Sequence, residues 1–224
     1  MCIRDRVRTA PGMTVYFGRE LPPDADDLLL NALSESGLNL PVIAKPTYEG
    51  SSKGVRQRCL VQRPGDLRVV VEELWRWYRQ PVLIEEFIDG EELTVGLVGN
   101  DPPQVLGILR IIPKDPAEPF VYSLEVKRDW QNRVRYEAPA RLPTEVEAAV
   151  TEAALDAFDA LGCRDVARLD FRLRDGTPYF IEANPLPGLN PDHSDLVILA
   201  RGVGVSYDQL IERIFVSALE RTQR

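Results

Sequence analysis

Four residues in the last third of the chain have the types and spacing to work on a cation: Arg168, Asp170, Glu182 and Asn184. They lie in two alternating stretches, Val-Ala-Arg-Leu-Asp-Phe-Arg-Leu from 166 and Pro-Tyr-Phe-Ile-Glu-Ala-Asn-Pro from 178. Side chains of a strand alternate between faces, so Arg168, Asp170 and Arg172 are predicted to face one way and Leu169, Phe171 and Leu173 the other. On the second arm the same period places Phe180, Glu182 and Asn184 together, opposite Ile181 and Ala183. Asp175-Gly176 is a tight-turn signal, so the arms should pair as a hairpin. Asp170, Glu182 and Asn184 then converge as oxygen donors beside an arginine. That set suits a hard cation such as Mg2+, which is usually held by one or two carboxylates plus substrate phosphates. An ordinary polar outer face, its acids paired with arginines, fits the same pattern.

The elements that position such a site come from a chain of 224 residues, 44% hydrophobic and 28% charged, enough for one large or two small domains. No apolar run approaches the ~18 residues a membrane span needs, and no signal peptide is recognisable at the N-terminus, so a cytoplasmic protein without membrane association is expected. The net charge of -8 argues against a general nucleic-acid binder while leaving room for a local basic pocket. Cys2, Cys59 and Cys163 form no Cys-x-x-Cys, which disfavours a disulfide framework or thiolate zinc site. His193 is the only histidine, which excludes a His-rich metal site.

Residues 1–12 have no helical or strand period, and 1–6 have the character of a non-native leader. A strand at 13–17 and a helix over 24–36 follow, the helix burying Leu28, Leu29, Ala32 and Leu33 and stopping at Gly37. Strand 40–45 ends at Lys45. In the next loop Gly50 and Gly54 bracket Ser51, Ser52 and Lys53. Small residues let backbone N–H groups approach an anion, and the lysines add charge; a flexible surface loop is the alternative. The order is not that of a Walker A motif. Residues 66–79 have a helical stripe of Leu67, Val70, Val71, Leu74, Trp75 and Tyr78. Strand 81–88 ends near Glu85 and Glu86, Asp89-Gly90 makes a turn, and strands at 92–99 and 104–112 give an antiparallel arrangement. Residues 113–129 are predicted irregular, either a functional loop or a surface excursion. Thr144-Glu-Val-Glu has the form of a capping box. It opens a helix that buries Val146, Val150, Ala153, Ala157, Phe158 and Leu161 and stops at Gly162. After the hairpin, Gly188 and Ser194 lie in a Pro-stiffened loop that could receive a carboxylate or oxyanion, or be plain turn chemistry. A short helix at 195–201 and one at 206–219 close the chain. The second has a Ser206/Gln209 capping box and Tyr207, Leu210, Ile211, Ile214 and Phe215 inward.

Taken in order, these pieces resemble the ATP-grasp superfamily, and within it the D-alanine–D-alanine ligase family. The matching stretches are Ala44-Lys-Pro-Thr-Tyr-Glu-Gly-Ser-Ser-Lys-Gly-Val, Val82-Leu-Ile-Glu-Glu-Phe-Ile-Asp-Gly-Glu-Glu-Leu-Thr-Val, Leu161-Gly-Cys, Ala167-Arg-Leu-Asp and Ile181-Glu-Ala-Asn-Pro-Leu-Pro-Gly. The resemblance implies an α+β (α/β) ATP-grasp fold, in which two α/β subdomains with antiparallel sheets grip a nucleotide in the cleft between them. The ATP-binding subdomain would span 13–88 and the C-terminal one 89–224. It further implies that Lys45 holds ATP phosphates and that Glu49, Gly50, Ser51 and Ser52 form a flap over them. Glu85, Glu86, Phe87 and Ile88 would contact adenine, Glu92 the ribose, and Lys127 the terminal phosphate. Asp170, Glu182 and Asn184 match ligands of one or two Mg2+ ions, for which Mn2+ can substitute. Arg168 matches the arginine that stabilises the intermediate, and Gly188 and Ser194 would lie near the substrate carboxylate or oxyanion.

The implied activity is ATP-dependent ligation of amino acids through an acyl phosphate, as in cell-wall peptidoglycan synthesis. Phosphoryl transfer depends on positioning and charge neutralisation, so the lack of a Ser, Cys or His nucleophile is no obstacle. The sequence also departs from the family. No counterpart of its N-terminal domain is expected in the chain, so a separate N-terminal domain or a homodimer partner would complete the site. The loop after Gly188 is one residue longer than the family's, and Leu124 stands where a substrate-loop tyrosine is expected. A ligase for other amino acids and a non-catalytic Mg-ATP module are the rival expectations.

Overall fold

The computed structural model describes residues 6–17, 21–50, 52–115 and 119–223. The chain forms two compact units. One comprises Ala10–Ile88 with Asp115–Arg133; the other comprises Asp89–Lys114 and Val134–Arg224 with the stretch ending at Thr9. The α+β class expected from the sequence is what the chain adopts, with two antiparallel sheets and flanking helices.

In the first unit the order is β1 (Gly12–Val15), α1 (Ala25–Glu35), β2 (Val42–Pro46), β3 (Leu60–Val61), α2 (Pro64–Tyr78) and β4 (Val82–Glu86). The sheet order is β1-β4-β2-β3, all antiparallel. Its core joins Val42, Ala44, Val82 and Ile84 of the sheet to Leu29 and Leu33 of α1 and to Leu67, Val71 and Leu74 of α2. Trp75 and Tyr78 pack against this cluster, as predicted. Leu28 was expected inward but is half exposed, because the buried line of α1 runs through Ala25, Leu29 and Leu33, one residue round the helix. Gly37, at φ +69°, ends α1 as predicted.

The second unit begins with β5 (Glu91–Val98) and β6 (Gln104–Pro113). The chain then returns to the first unit for α3 (Leu124–Arg128) and α4 (Trp130–Arg133). Residues 113–129 are therefore not irregular throughout: the Ser123 hydroxyl caps α3 by accepting from the Val126 N–H. There follow β7 (Val134–Glu137), which the sequence did not suggest, α5 (Thr144–Ala160), β8 (Val166–Arg174), β9 (Thr177–Asn184), α6 (Asp195–Gly202) and α7 (Tyr207–Thr222). The five strands are ordered β7-β6-β5-β8-β9, all antiparallel.

α5 packs Val150, Ala154, Ala157 and Phe158 onto Leu93, Val95, Leu169 and Phe171 of the sheet. Thr144 is the first helical residue, after Pro143 as N-cap, so the expected capping box is absent. Leu161 is exposed because the helix ends at Ala160, although Gly162 (φ +65°) is the stop that was foreseen. On the opposite face α6 settles closely onto β5 and β6. A Cβ at Gly96 would meet Leu196 Cδ1 at 2.6 Å, and one at Gly107 would meet Val203 Cγ1 at 2.9 Å. The Ser206/Gln209 capping box of α7 is present. Of the apolar residues predicted to face inward, Leu210 is buried and Ile214 packs on the cluster, whereas Tyr207 and Phe215 are exposed. Residues 7–9 are built in: Val7 is buried in the core, and Thr9 bridges Phe180, whose N–H donates to the Arg8 carbonyl. Among the described residues no helix is long and apolar enough to cross a membrane.

Candidate functional site

The hairpin forms as the sequence predicts. Asp175 (φ +51°) and Gly176 (φ +74°) make the two-residue turn, and Arg174 pairs with Thr177. Positive φ at both central positions is the geometry that follows the strand twist, which is why Asp-Gly suits it. Leu169, Phe171 and Leu173 face the core. Arg168 lies opposite Asn184 and Asp170 opposite Glu182. Phe180 departs from its predicted face. The register shifts after Asp170, so that Phe171 pairs with Phe180 and Ile181 is the extra residue of a bulge. Phe180 consequently packs on the core with Ala183, while Glu182 keeps its place beside Asp170.

Arg168 and Asp170 are buried, not on a solvated outer face. The Arg168 guanidinium donates to Asp170 through Nε (3.1 Å to Oδ1) and Nη2 (2.8 Å to Oδ2). It reaches Glu182 at 3.5 Å and Asp195 at 3.4 Å. Burial opposes its charge, but the carboxylates of Asp170, Asp195 and Glu182 outweigh that effect and hold it firmly protonated. Thr94 of β5 donates to Asp170 Oδ1 at 2.8 Å. The Asn184 amide lies 3.5 Å from Asp170 Oδ2 and 3.3 Å from Glu182 Oε1. One guanidinium thus faces three carboxylates, and Asn184 turns its Nδ2 toward Asp170 and Glu182. Each of the three side chains carries an oxygen, and those ligand types fit a hard divalent cation once the amide presents its Oδ1. Among the described residues no group of three or more His, Cys, Asp or Glu side chains is placed to hold a metal ion. Arg172 donates to Glu92 Oε2 at 2.8 Å, a buried ion pair that fixes the glutamate expected at the ribose. Nothing in the sequence singled out Thr94 or Asp195. The one signal for Thr94 was a polar residue at period two from Glu92 in an otherwise apolar strand.

The loop after β9 braces itself. The Ser194 hydroxyl accepts from the Asn190 N–H at 2.9 Å, and a Cβ at Gly188 would sit 2.9 Å from Ser194 Oγ, so a larger residue there would displace that hydroxyl. Tyr207 donates to the Leu189 carbonyl, and Arg201 to that of Pro191.

The first unit carries the other candidate residues. Lys45 and Glu85 form a half-buried ion pair on neighbouring strands. In the loop after β2, Lys53 pairs with Glu49 at 2.7 Å and holds its carboxyl below the usual range, and Gln80 donates to the same carboxylate. Gly50 is exposed. Ser51 lies outside the described residues. Ser52, at φ +58°, donates from its hydroxyl to the Tyr122 carbonyl at 2.9 Å. Lys127 lies 4.7 Å above the Tyr122 ring, so the loop and this lysine share one anchor. The N–H groups of Glu86 and Phe87 donate to the carbonyls of Pro11 and Pro41. Phe87 and Ile88 are buried, Phe87 against Leu60 and Val121.

Residues 23–216 match the family model described as D-ala D-ala ligase C-terminus. The chain is 37% identical over 188 residues to a D-alanine–D-alanine ligase of Geotalea uraniireducens, covering 84% of this chain and 56% of that protein. It is 38% identical over 206 residues to D-alanine–D-alanine ligase B of Chromobacterium violaceum, covering 89% and 63%. A crystal structure of D-alanine–D-alanine ligase from Bacillus anthracis superposes with a TM-score of 0.74 at 28% identity, covering 98% of this chain and 65% of that one. The same enzyme complexed with ATP gives 0.72 at 26% identity, covering 98% and 63%. The chain thus spans less than two thirds of the length of these relatives. With a family model matched over most of its length and a fold shared with solved ligases, the chain belongs to the D-alanine–D-alanine ligase C-terminal family, of ATP-grasp fold.

Proposed function

We propose that this chain is the nucleotide- and metal-handling part of an ATP-dependent carboxylate–amine ligase that joins two D-alanine molecules. The observation that carries the reading is the pairing of Asp170 with Glu182 and of Arg168 with Asn184 across one hairpin. In this reading Glu85, Glu86, Phe87 and Ile88 hold adenine, and Glu92, oriented by Arg172, takes the ribose. Lys45, Lys127 and the loop from Glu49 to Ser52 hold the phosphates. Asp170, Glu182 and Asn184 hold Mg2+, or Mn2+ in its place. When bound, the cation supplies charge neutralisation at the phosphoryl oxygens.

A substrate carboxylate oxygen attacks the γ-phosphorus, the bond to the β–γ bridging oxygen breaks, and ADP leaves. The amine of the second amino acid then attacks the acyl carbon, the bond to phosphate breaks, and the ammonium proton passes to solvent. Arg168, kept protonated by its carboxylate neighbours, stabilises the negative charge that builds up in both steps. Gly188 and Ser194 orient the substrate. Buried free thiols at Cys59 and Cys163 fit a reducing cytoplasm, where ATP is also available.

The length difference from its relatives favours a second reading, in which the chain binds Mg-ATP and a further domain or second copy completes catalysis. Calorimetric titration of Mg-ATP into the 224-residue chain and into Glu182→Gln tests the metal and nucleotide assignment. Saturable binding weakened about tenfold or more by the substitution is expected, because one ligand charge is lost with little change in volume. Equal affinity removes the metal assignment. Phosphate release with D-alanine, set beside a panel of other amino acids, then identifies the substrate. Binding without turnover selects the second reading.

A further inference from the structure

Arg168 is held by three acids, and they are not equivalent. Asp170 and Glu182 lie on the hairpin and are the proposed cation ligands; Asp195 lies on α6 and is not among them. When a cation draws on the Asp170 and Glu182 oxygens, their hold on the guanidinium weakens, because the same lone pairs are engaged. Asp195 faces the other terminal nitrogen, Nη1, at 3.4 Å, whereas Asp170 takes Nε and Nη2. That distance is long for a charge-assisted bond, so the guanidinium can shift toward Asp195 as Asp170 turns to the cation.

The placement of Asp195 is rigid. It is the first residue of α6, and the next turn buries Leu196, Val197, Leu199 and Ala200. Leu196 and Leu199 lie over Gly96, where a Cβ would clash, so the helix start cannot drift from the sheet without losing that packing. Asp195 also follows Ser194, whose hydroxyl fastens the loop from Gly188. A first-turn acid is ordinarily explained by the helix dipole, but such residues are exposed, and Asp195 is buried against an arginine.

We propose that Asp195 is the positioning residue that holds Arg168 in place when Asp170 and Glu182 are engaged by the cation. The inference rests on the metal reading above, and its test includes an arm that needs no metal. Asp170→Asn imitates the loss of Asp170 as a charged partner. Rotation about the Cζ–Nη bonds of Arg168 is followed by NMR in the nitrogen-labelled 224-residue chain, the signals being identified by their absence in Arg168→Lys. In metal-free Asp170→Asn the rotation should stay hindered, within about threefold of the parent. Adding Asp195→Asn should speed it about tenfold or more. Adding Asp195→Glu instead, which keeps the charge, should restore the hindrance and serves as the folded control. Fast rotation in Asp170→Asn alone, or hindered rotation with Asp195→Asn added, overturns the proposal. Failure of Mg-ATP to bind the parent chain refutes the metal reading and is seen separately by calorimetry, while the metal-free arm still decides whether Asp195 holds Arg168.

Discussion

Phe180 meets Phe171 edge to face, with ring centroids 5.7 Å apart, although strict alternation would have put it beside Glu182 on the polar face. The extra residue Ile181 makes both placements possible at once: the core ring is satisfied, and two positions on the carboxylate still lies opposite Asp170. Deleting Ile181 removes the bulge and forces a choice, since a one-residue slip turns side chains to the other face. The deletion should lower unfolding stability by about 4 kcal/mol or more in urea titration. Phe180→Ala, which keeps the phase, should lose about 3 kcal/mol and retain Mg-ATP affinity. Equal losses from both changes would mean that the ring contact alone matters.

The rest of the hairpin was legible because its signals are local. Alternation at 166–173 and Asp-Gly at the turn act on neighbouring residues, as do the glycines at 37 and 162 that end α1 and α5. The bulge has no mark in composition, so strict alternation places Phe180 on the polar face and the structure places it on the core. The tie between Thr94 and Asp170 joins residues 76 apart in sequence and depends on β5 pairing with β8, which no local pattern specifies. The family motifs named the acids and arginine on the hairpin. They said nothing of Asp195, because an acid in a first helical turn has an ordinary explanation.

Arg168 is a single buried positive charge among Asp170, Asp195 and Glu182. Arg168→Met leaves those carboxylates without their counter-ion, and thermal unfolding should report a loss of about 3–5 kcal/mol. Arg168→Lys keeps the charge but not the fork that grips both Asp170 oxygens, so the fold should hold better while the proposed ligation slows about 100-fold. If Lys supports full turnover, the guanidinium geometry is not used in the reaction.

Ser52 ties the glycine-flanked loop to the Tyr122 carbonyl, and Lys127 rests on the ring of the same tyrosine. Ser52→Ala removes one hydrogen bond of about 1 kcal/mol and leaves the loop, proposed above to hold the phosphates, less ordered. Mg-ATP affinity should fall about fivefold, with unfolding stability changed by no more than that bond. A change in stability without a change in affinity would assign the contact to folding alone.

Asp165 joins the ends of three elements. Its carboxylate accepts from Arg221 of α7 at 2.8 Å and 3.0 Å and from the Asn100 amide at 2.9 Å, and Asn100 also donates to the Ser217 carbonyl. The Arg221 guanidinium, with help from Asn100, holds the Asp165 carboxyl below the usual carboxylate range against the opposing effect of burial. A group whose folded value is depressed adds stability above its unfolded value, near 3.9, and that stability is lost as the pH falls through the folded value. Asp165→Asn should therefore be less stable than the parent at pH 7, and the difference should shrink steadily below about pH 4 until the two acid-unfolding curves meet. Hydrogen exchange should locate the loss in α7, because only that helix depends on Arg221 for this attachment. A stability gap that persists unchanged at pH 2 would mean that the amide disturbs packing and that the charge of Asp165 is not what holds the helix.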